Sequence, residues 1–322
     1  MRIRQLALAT SASALLAVTA GCGGTSSTAA GSGDKAAGSG GRAATVTITV
    51  EGVGPISTDA NLAGKVPGDL RSRGTVTVAT NAPYQPFIDF KQEGRTDEFK
   101  GLDYDLFLAA SARLGIKATF TQQPFDGLVP GLQAGKYDAI AGGITDKKER
   151  QQVATFVDYS ASGTGFLVRT GNPLAVKTVA DLCGRKVAVQ KASNQAKNLA
   201  AYSKDSCAGR AIEVKEYPEN PQAVQALIAG NVEVVAATRV NLVDTAGALA
   251  GKADLVTDPA APNGWLASPN GFGFLKSKKD VAEAYRAAVQ SLIDDGSYAK
   301  ILGQWKQTPI AVKQATVDQA ID

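Results

Sequence analysis

From residue 74 onward, apolar and polar positions alternate between short strand-like segments and longer helical ones. Residues 75–80 (TVTVAT) are rich in β-branched side chains, which favours a strand. Between 102 and 114 the apolar positions recur at helical spacing, with acidic residues in the first turn and Gly115 as a stop signal, so a helix is predicted. Strands are predicted next at 117–121 and 137–141, around a short helix at 128–132.

A second series of the same kind follows. Its predicted strands are 186–190, 212–217 and 232–236, and its helices begin near Asn194 and span 221–229. Two such series predict an α/β protein with two lobes of largely parallel sheet and a cleft between them. Clefts of this kind, at the carboxyl ends of strands, are common ligand sites. The last helical region, 281–305 with a break at 295–296, is predicted to pack on one lobe, with Trp305 in the core.

The first 65 residues have a different pattern. Two arginines and an apolar stretch at 6–18, too short to span a membrane as a helix, predict a signal peptide over 1–21. Residues 22–44 are almost entirely Gly, Ser, Ala and Thr, which is typical of a flexible linker. The segment 45–65 is an extension to which no role is assigned, although 45–50 (TVTITV) alternates like a strand.

Composition excludes several kinds of chemistry. The 322 residues carry a formal net charge of +4 and no histidine. A charge this near zero gives no support for nucleic-acid binding. Without histidine there is no His-based metal site, Ser-His-Asp triad or Cys-His pair. Glycine-rich nucleotide fingerprints and EF-hand spacing are also missing, so neither a metal nor a cofactor is predicted.

The chain has three cysteines. In an exported protein, the pair Cys183 and Cys207 predicts a structural disulfide, because no CxxC spacing supports a redox role. Cys22 follows Thr-Ala-Gly at the end of the signal segment. This tetrapeptide resembles the lipobox of bacterial lipoproteins and implies that Cys22 is acylated and tethers the protein to a membrane. An ordinary signal peptide with an incidental cysteine is the alternative.

Five segments, in order, resemble the family 3 solute-binding proteins, which are polar amino-acid receptors of ABC importers. They are VPGDLRSRGTVTVATNAPYQPF (66–87), GLDYDLFLAASARLG (101–115), FDGLVPGLQAGKYDAIAGGITDKKERQQVATFVDYSASGTGF (125–166), DLCGRKVAVQKASNQ (181–195) and DDGSYAKILGQW (294–305). The resemblance implies a type II periplasmic-binding-protein-like fold, with two α/β lobes joined by two hinge strands. Lobe 1 would be 66–166 and 271–309, lobe 2 would be 167–270, and 310–322 would be a tail.

The resemblance also implies the residues that bind the solute. Arg150, in the segment that begins at Thr145, would hold a carboxylate with its planar guanidinium, and Thr145 would add a hydroxyl or backbone contact. Ser193 and Asn194 open a helix whose free N–H groups would bind the same carboxylate from the second lobe. A solvated surface charge is the alternative for Arg150, and simple helix capping is the alternative for Ser193.

Aromatic contacts and two departures complete the predicted site. Tyr84 and Phe125 match positions where the family places rings against the ligand, and core packing is the alternative for each. Thr238, followed by Arg239, stands where many amino-acid receptors have an aspartate for the ligand's ammonium group. Gly143 replaces a common hydroxyl residue. The ligand would therefore lack an α-amino group or use another carboxylate, while Arg239 would contact a second acidic group or remain a surface charge.

The predicted function is that of a monomeric, substrate-binding lipoprotein of an ABC importer. It would be anchored outside the cell membrane through Cys22, close on a small carboxylate-bearing solute, amino-acid-like, and deliver it to a permease. Binding without chemistry is expected, so the protein is not predicted to be an enzyme. A ligand-sensing lipoprotein that feeds a membrane receptor is one alternative. A dehydratase on the same fold is another, with an acid or base among Asp103, Asp105, Asp126 and Asp158.

Overall fold

The computed structural model describes residues 45–321, so the predicted signal peptide, linker and Cys22 lie outside the described residues. The strands are β1 (Thr47–Val50), β2 (Gly54–Ser57), β3 (Thr75–Thr80), β4 (Asp89–Phe90), β5 (Phe99–Lys100), β6 (Lys117–Gln122), β7 (Ala139–Ile140), β8 (Ala154–Arg169), β9 (Lys186–Gln190), β10 (Glu213–Tyr217), β11 (Val234–Thr238), β12 (Ala253–Leu255), β13 (Trp265–Leu275) and β14 (Ala311–Val317). The α-helices are α1 (Ala60–Ala63), α2 (Gly68–Arg73), α3 (Leu102–Arg113), α4 (Leu128–Gln133), α5 (Asn194–Ser206), α6 (Asn220–Ile228), α7 (Arg239–Ala248), α8 (Lys279–Asp294) and α9 (Ser297–Gln304).

One ten-stranded sheet runs through both lobes. Its main path is β10-β9-β11-β8-β13-β7-β3-β6, and β12 and β14 both pair with β8. The outer strands of each lobe are parallel, whereas β8 pairs antiparallel with β13 and with β11. The 16-residue β8 and the 11-residue β13 are long enough to belong to both lobes. The predicted two-lobed α/β fold with two hinge strands is confirmed.

Lobe 1 is built around an aromatic core. The ring of Phe107 on α3 packs against Phe272 and Phe274 of β13 and against Tyr285 of α8, with centroids 4.9 to 6.2 Å apart. The Tyr285 hydroxyl is buried and forms a 2.8 Å hydrogen bond with the Ser111 hydroxyl. Because β13 is a hinge strand, these rings fix the hinge to the helical layer of lobe 1.

The extension that precedes the first predicted strand of the lobe is part of the lobe 1 core. β1 and β2 form an antiparallel hairpin, and Val50, Ile56 and Leu62 are buried in the same apolar cluster as α3 and α8. The Thr58 hydroxyl donates to the Ala112 carbonyl oxygen at the end of α3, at 3.0 Å. The segment therefore covers one end of α3 with apolar side chains.

The residues after 310 form β14, which pairs antiparallel with the hinge strand β8. The Tyr298 hydroxyl donates to the Tyr159 carbonyl oxygen on β8 and accepts from the Val312 amide at 3.0 Å. The chain end is thus held against the hinge by backbone and side-chain hydrogen bonds.

Lobe 2 has two smaller apolar clusters, one on each face of its strands. Cys183 and Cys207 form a disulfide, with their Cα atoms 5.3 Å apart, and Cys207 directly follows α5. The predicted bond is confirmed, and it ties α5 to the strand region before β9. Among the helices of residues 45–321, none has both the length and the apolar content needed to cross a membrane.

Candidate functional site

The carboxyl ends of strands from both lobes meet at one place. β3 ends just before Asn81 and Tyr84, β9 ends just before Ser193, and β11 ends at Thr238, where α7 begins. Open α/β sheets bind ligands at this edge because loops and helix starts present free backbone groups there. The fold alone therefore makes this cleft the candidate ligand site.

A narrow cavity of about 10 Å³ lies in the cleft. Six of the eight predicted ligand-binding residues line it: Tyr84, Phe125, Thr145, Ser193, Asn194 and Thr238. The other lining residues are Gly143, Gln190, Gln195, Asn220, Ala236 and Ala237. Both lobes contribute, and every lining side chain is uncharged.

Arg150 lies outside this cavity, beside two of its lining residues. One of its terminal nitrogens donates to the Thr145 carbonyl oxygen at 2.8 Å, and the other donates to the Ala192 carbonyl oxygen at 3.5 Å. Its guanidinium carbon is 5.6 Å from the centre of the Phe125 ring. Thr145 and Phe125 belong to lobe 1 and Ala192 to lobe 2, so Arg150 contacts both lobes at the edge of the cavity.

A buried carboxylate shapes the loop that leads to Thr145. Asp103 accepts the Gly142 and Gly143 amides at 2.7 and 2.8 Å, and it also accepts the Tyr159 hydroxyl. Burial raises the pKa of Asp103 to about 6, although these hydrogen bonds oppose the rise. Asp103 is therefore a structural group that fixes the turn.

The departure at Gly143 has a steric reason. Gly143 has a φ of 71°, and a Cβ atom built there would lie 2.7 Å from the Phe87 ring. A side chain at this position would need both an unfavourable backbone conformation and displacement of a fully buried ring. The loop therefore requires glycine, and a hydroxyl residue does not fit.

On the lobe 2 side, Ser193 is the N-cap of α5. Its hydroxyl accepts the Ala196 amide at 3.2 Å, so Ser193 caps the helix, and its side chain also lines the cavity. Asn194 Oδ1 accepts the Thr145 hydroxyl at 3.4 Å, which joins the two lobes. The helix start at 193–194 thus faces the loop of Thr145 across the cleft.

Tyr84 and Thr238 form a second link between the lobes. The Thr238 amide donates to the Tyr84 hydroxyl oxygen at 3.1 Å, and burial raises the pKa of Tyr84, so its hydroxyl stays neutral. A neutral phenol that accepts one bond still has its own proton to donate. Arg239, the first residue of α7, is half-buried and is not among the residues that line the cavity.

Several polar residues at the cleft were not predicted from the sequence. Gln190 Nε2 donates to Asn81 Oδ1 at 2.9 Å, and Asn81 Nδ2 donates to Glu219 Oε1 at 3.3 Å. Burial raises the pKa of Glu219, while the hydrogen bond from Asn81 lowers it. Each residue lies at or just after the end of a predicted strand, so the strand-end rule applied to every strand would have found them.

Charged pairs close the outer side of the cleft. Lys191 Nζ lies 2.8 Å from Asp126 Oδ2, and Lys197 pairs with Glu149, so each pair joins the two lobes. All four side chains are exposed, and pairs of this kind contribute little to stability, up to about 1 kcal/mol. Across residues 45–321, no cluster of three or more acidic or cysteine side chains is placed to hold a metal ion.

The cleft, hinge and fold match known proteins. The profile of the bacterial extracellular solute-binding proteins, family 3, matches residues 76–308. The chain belongs to this family, as the sequence segments predicted.

Individual relatives agree. The arginine-binding protein ArgT of Corynebacterium glutamicum is 29% identical over 259 residues, which is 80% of each chain. The lysine/arginine/ornithine-binding periplasmic protein of Escherichia coli is 29% identical over 236 residues, 70% of this chain and 85% of that one. An ancestral arginine-binding protein bound to arginine superposes with a TM-score of 0.64 at 30% identity, covering 72% of this chain and 98% of its own.

Proposed function

We propose that this protein captures an amino acid or a close derivative between its lobes and delivers it to an ABC permease. The observation that carries the proposal is the cleft at the strand ends, lined from both lobes, with Arg150 beside it in contact with both. Relatives with this fold are binding proteins for arginine and for lysine, arginine and ornithine.

The lining of the cavity supports a small polar solute. Its volume of about 10 Å³ is far below that of ligand pockets, roughly 300 to 1,000 Å³, so a solute enters only when the lobes move apart. Ser193 and Asn194 offer the start of a helix, which favours a negatively charged group. Arg150 is adjacent and can exchange its contacts with backbone carbonyl oxygens for a charge-assisted pair with the solute's carboxylate.

Closure follows from contacts that the solute makes with both lobes. A carboxylate held by Arg150 of lobe 1 and by the start of α5 in lobe 2 favours the closed state over the open one, which is what a ligand must do to shift such an equilibrium. The hydrogen bond between Tyr84 and Thr238 and the pair Lys191–Asp126 then add lobe-to-lobe contacts.

The placement of the carboxylates argues against an enzyme. Asp103 holds backbone amides, Asp105 accepts the Trp305 indole N–H at 2.8 Å, and Asp126 pairs with Lys191. Asp158 is buried on β8 beside β14 and accepts the Gln319 amide. None of these four lines the cavity, so none of them is in position to act as the acid or base of a dehydratase there.

We further propose that acylated Cys22 anchors a monomer to the outer face of the cell membrane. The Thr-Ala-Gly-Cys sequence at 19–22 and the composition of residues 23–44, rich in Gly, Ser, Ala and Thr, support this proposal. A sensor that feeds a membrane receptor would use the same cleft, and only its partner would differ.

A thermal-shift panel tests the proposal. The panel holds L-arginine, L-lysine, L-ornithine, L-histidine, L-glutamine and L-cystine, with dicarboxylates and a prephenate-like acid. A ligand at about one hundred times its Kd adds about 2.7 kcal/mol to the free energy of unfolding and raises Tm by several degrees. A shift with at least one amino acid is expected, whereas a shift with the prephenate-like acid alone, accompanied by turnover, would favour the enzyme.

A further inference from the structure

One polar atom at the cavity lacks a partner. Asn220 is the first residue of α6, is 4% exposed and lines the cavity. Its Oδ1 has no hydrogen-bond partner in the part of the chain that the structure describes. Buried polar atoms are nearly always hydrogen-bonded, and leaving one unpaired costs about 1–3 kcal/mol. An unpaired acceptor at a ligand cavity therefore indicates a donor that comes with the ligand.

The orientation of the Asn220 amide is fixed by a series of hydrogen bonds through three residues. Asn241 lies 2.7 Å from the Gln85 carbonyl oxygen, and since a carbonyl only accepts, the atom facing it must be the Asn241 nitrogen. Asn241 Oδ1 then faces Asn220, whose Nδ2 donates to it at 2.9 Å. Turning the Asn220 amide over would bring two oxygens together. Asn220 Oδ1 is consequently held as an acceptor at the cavity.

This series of hydrogen bonds depends on closure of the two lobes. Gln85 belongs to lobe 1, whereas Asn220 and Asn241 belong to lobe 2. The orienting contact with the Gln85 carbonyl exists only when the lobes are together. The acceptor is therefore set in the closed state, in which the solute is enclosed.

We infer that Asn220 Oδ1 accepts a hydrogen bond from the amino group of the bound solute, a role that rests on the proposed function. Thr238 supplies no counter-charge, and no carboxylate lines the cavity. An enclosed ammonium group without hydrogen-bond acceptors is costly, so it requires polar oxygens. The carbonyl dipole of Asn220 provides one. The solute is thus a carboxylate that carries an amino group. With Thr238 in place of an aspartate, this amino group is held by the Asn220 oxygen and not by a carboxylate.

Titration calorimetry with two matched pairs of probes tests the inference. The pairs are L-glutamine with its desamino analogue glutaramate, and L-arginine with its desamino analogue 5-guanidinopentanoate. In the native protein, an amino acid is expected to bind more tightly than its analogue. Asn220→Leu should weaken binding of the amino acid on the order of ten- to a hundred-fold, as for a lost hydrogen bond to a charged group. Binding of the analogue should change by less than about three-fold, since the analogue makes no such bond.

Two further variants separate this role from a structural one. Gln222→Ala removes the side chain that caps the same helix start, which accepts the Glu219 amide at 3.2 Å, but Gln222 does not line the cavity. It should leave the preference for the amino group unchanged. Asn241→Leu should reduce that preference although Asn241 does not line the cavity, because the Asn220 amide is then free to turn.

The outcomes are distinguishable. If neither amino acid binds the native protein, amino-acid capture fails and this inference fails with it. If an amino acid binds and Asn220→Leu weakens it and its analogue equally, the inference alone is wrong, and Asn220 Oδ1 faces water. If Gln222→Ala reduces the preference for the amino acid over its analogue as much as Asn220→Leu does, the inference is also wrong. The loss would then come from loosening of α6 and not from loss of the Asn220 acceptor.

Discussion

Replacing Asp158 with asparagine should remove a pH-dependent loss of stability at the hinge. Asp158 lies on β8 and is 2% exposed. Its Oδ2 accepts the Gln319 amide at 3.1 Å and the Thr316 hydroxyl at 3.4 Å, while Oδ1 has no hydrogen-bond partner within residues 45–321. Asparagine keeps an oxygen for the two donors and puts an NH₂ group in place of the unpaired oxygen.

The magnitude follows from the pKa. Burial, with a further contribution from the nearby Asp146 carboxylate, raises the pKa of Asp158 from 3.8 to about 8. Because the folded-state pKa is the higher one, the native protein keeps the proton while the unfolded chain loses it. Stability is therefore greatest below the unfolded-state pKa and falls as the pH rises from about 4 to about 8. At roughly 1.4 kcal/mol per unit, the loss has an upper bound of about 6 kcal/mol.

Urea unfolding of the native protein and Asp158→Asn at pH 5, 6, 7 and 8 measures this effect. The variant should gain stability relative to the native protein as the pH rises, with a difference of about 2–5 kcal/mol at pH 8. Asp181→Asn is the control, because hydrogen bonds lower the pKa of this exposed carboxyl, so it should not gain in the same way. A difference between native and Asp158→Asn that is constant with pH would refute the reasoning.

Three other changes have expected results. Replacing Cys183 and Cys207 with alanine should lower the free energy of unfolding by about 3 kcal/mol, measured in urea, because the disulfide closes a loop with a sequence separation of 24. Tyr84→Phe removes the oxygen that accepts the Thr238 amide, and calorimetry should show solute affinity weakened by about three- to ten-fold. Gly143→Ala should lower Tm by several degrees, because its φ is 71° and a Cβ would contact a buried ring.

The regular elements could be predicted because their signals are local. β3 and β9 match the predicted bounds, and α3 ends one residue before the predicted limit. β11 lies at Val234–Thr238, two residues later than predicted, and only Ala139–Ile140 of the predicted strand 137–141 pairs as β7. Strand ends depend on pairing with neighbours, which β-branching along one segment does not reveal.

The two hinge strands had no local signal. β8 is buried along nearly its whole length, so its sequence ATFVDYSASGTGFLVR shows no alternation of apolar and polar positions. β13 contains a proline and two glycines and has register shifts on either side of 268–270. Both strands are defined by pairing with each other, and in this case only the family resemblance predicted them.

The residues of the site also divide into those that the sequence predicted and those that it did not. The resemblance identified the residues around the cavity such as Tyr84, Thr145 and Thr238, which the structure brings together. It gave no indication of Asn220, because the position of its oxygen depends on Asn241 and on a carbonyl group of the opposite lobe. The orientation of the Asn220 amide is set by hydrogen bonds between the two lobes, and these contacts cannot be predicted from the residue types along the sequence.

Calorimetric titration of Arg150→Ala with the amino acid that gives the largest thermal shift tests the central claim most directly. Arg286→Ala is the matched control, since Arg286 pairs with Glu283 on α8 and does not line the cavity. The native protein and Arg286→Ala are expected to bind one solute molecule with equal affinity, and Arg150→Ala, with an unchanged far-ultraviolet spectrum, is expected to show no binding heat. Equal affinity in all three proteins would contradict capture of the carboxylate by Arg150.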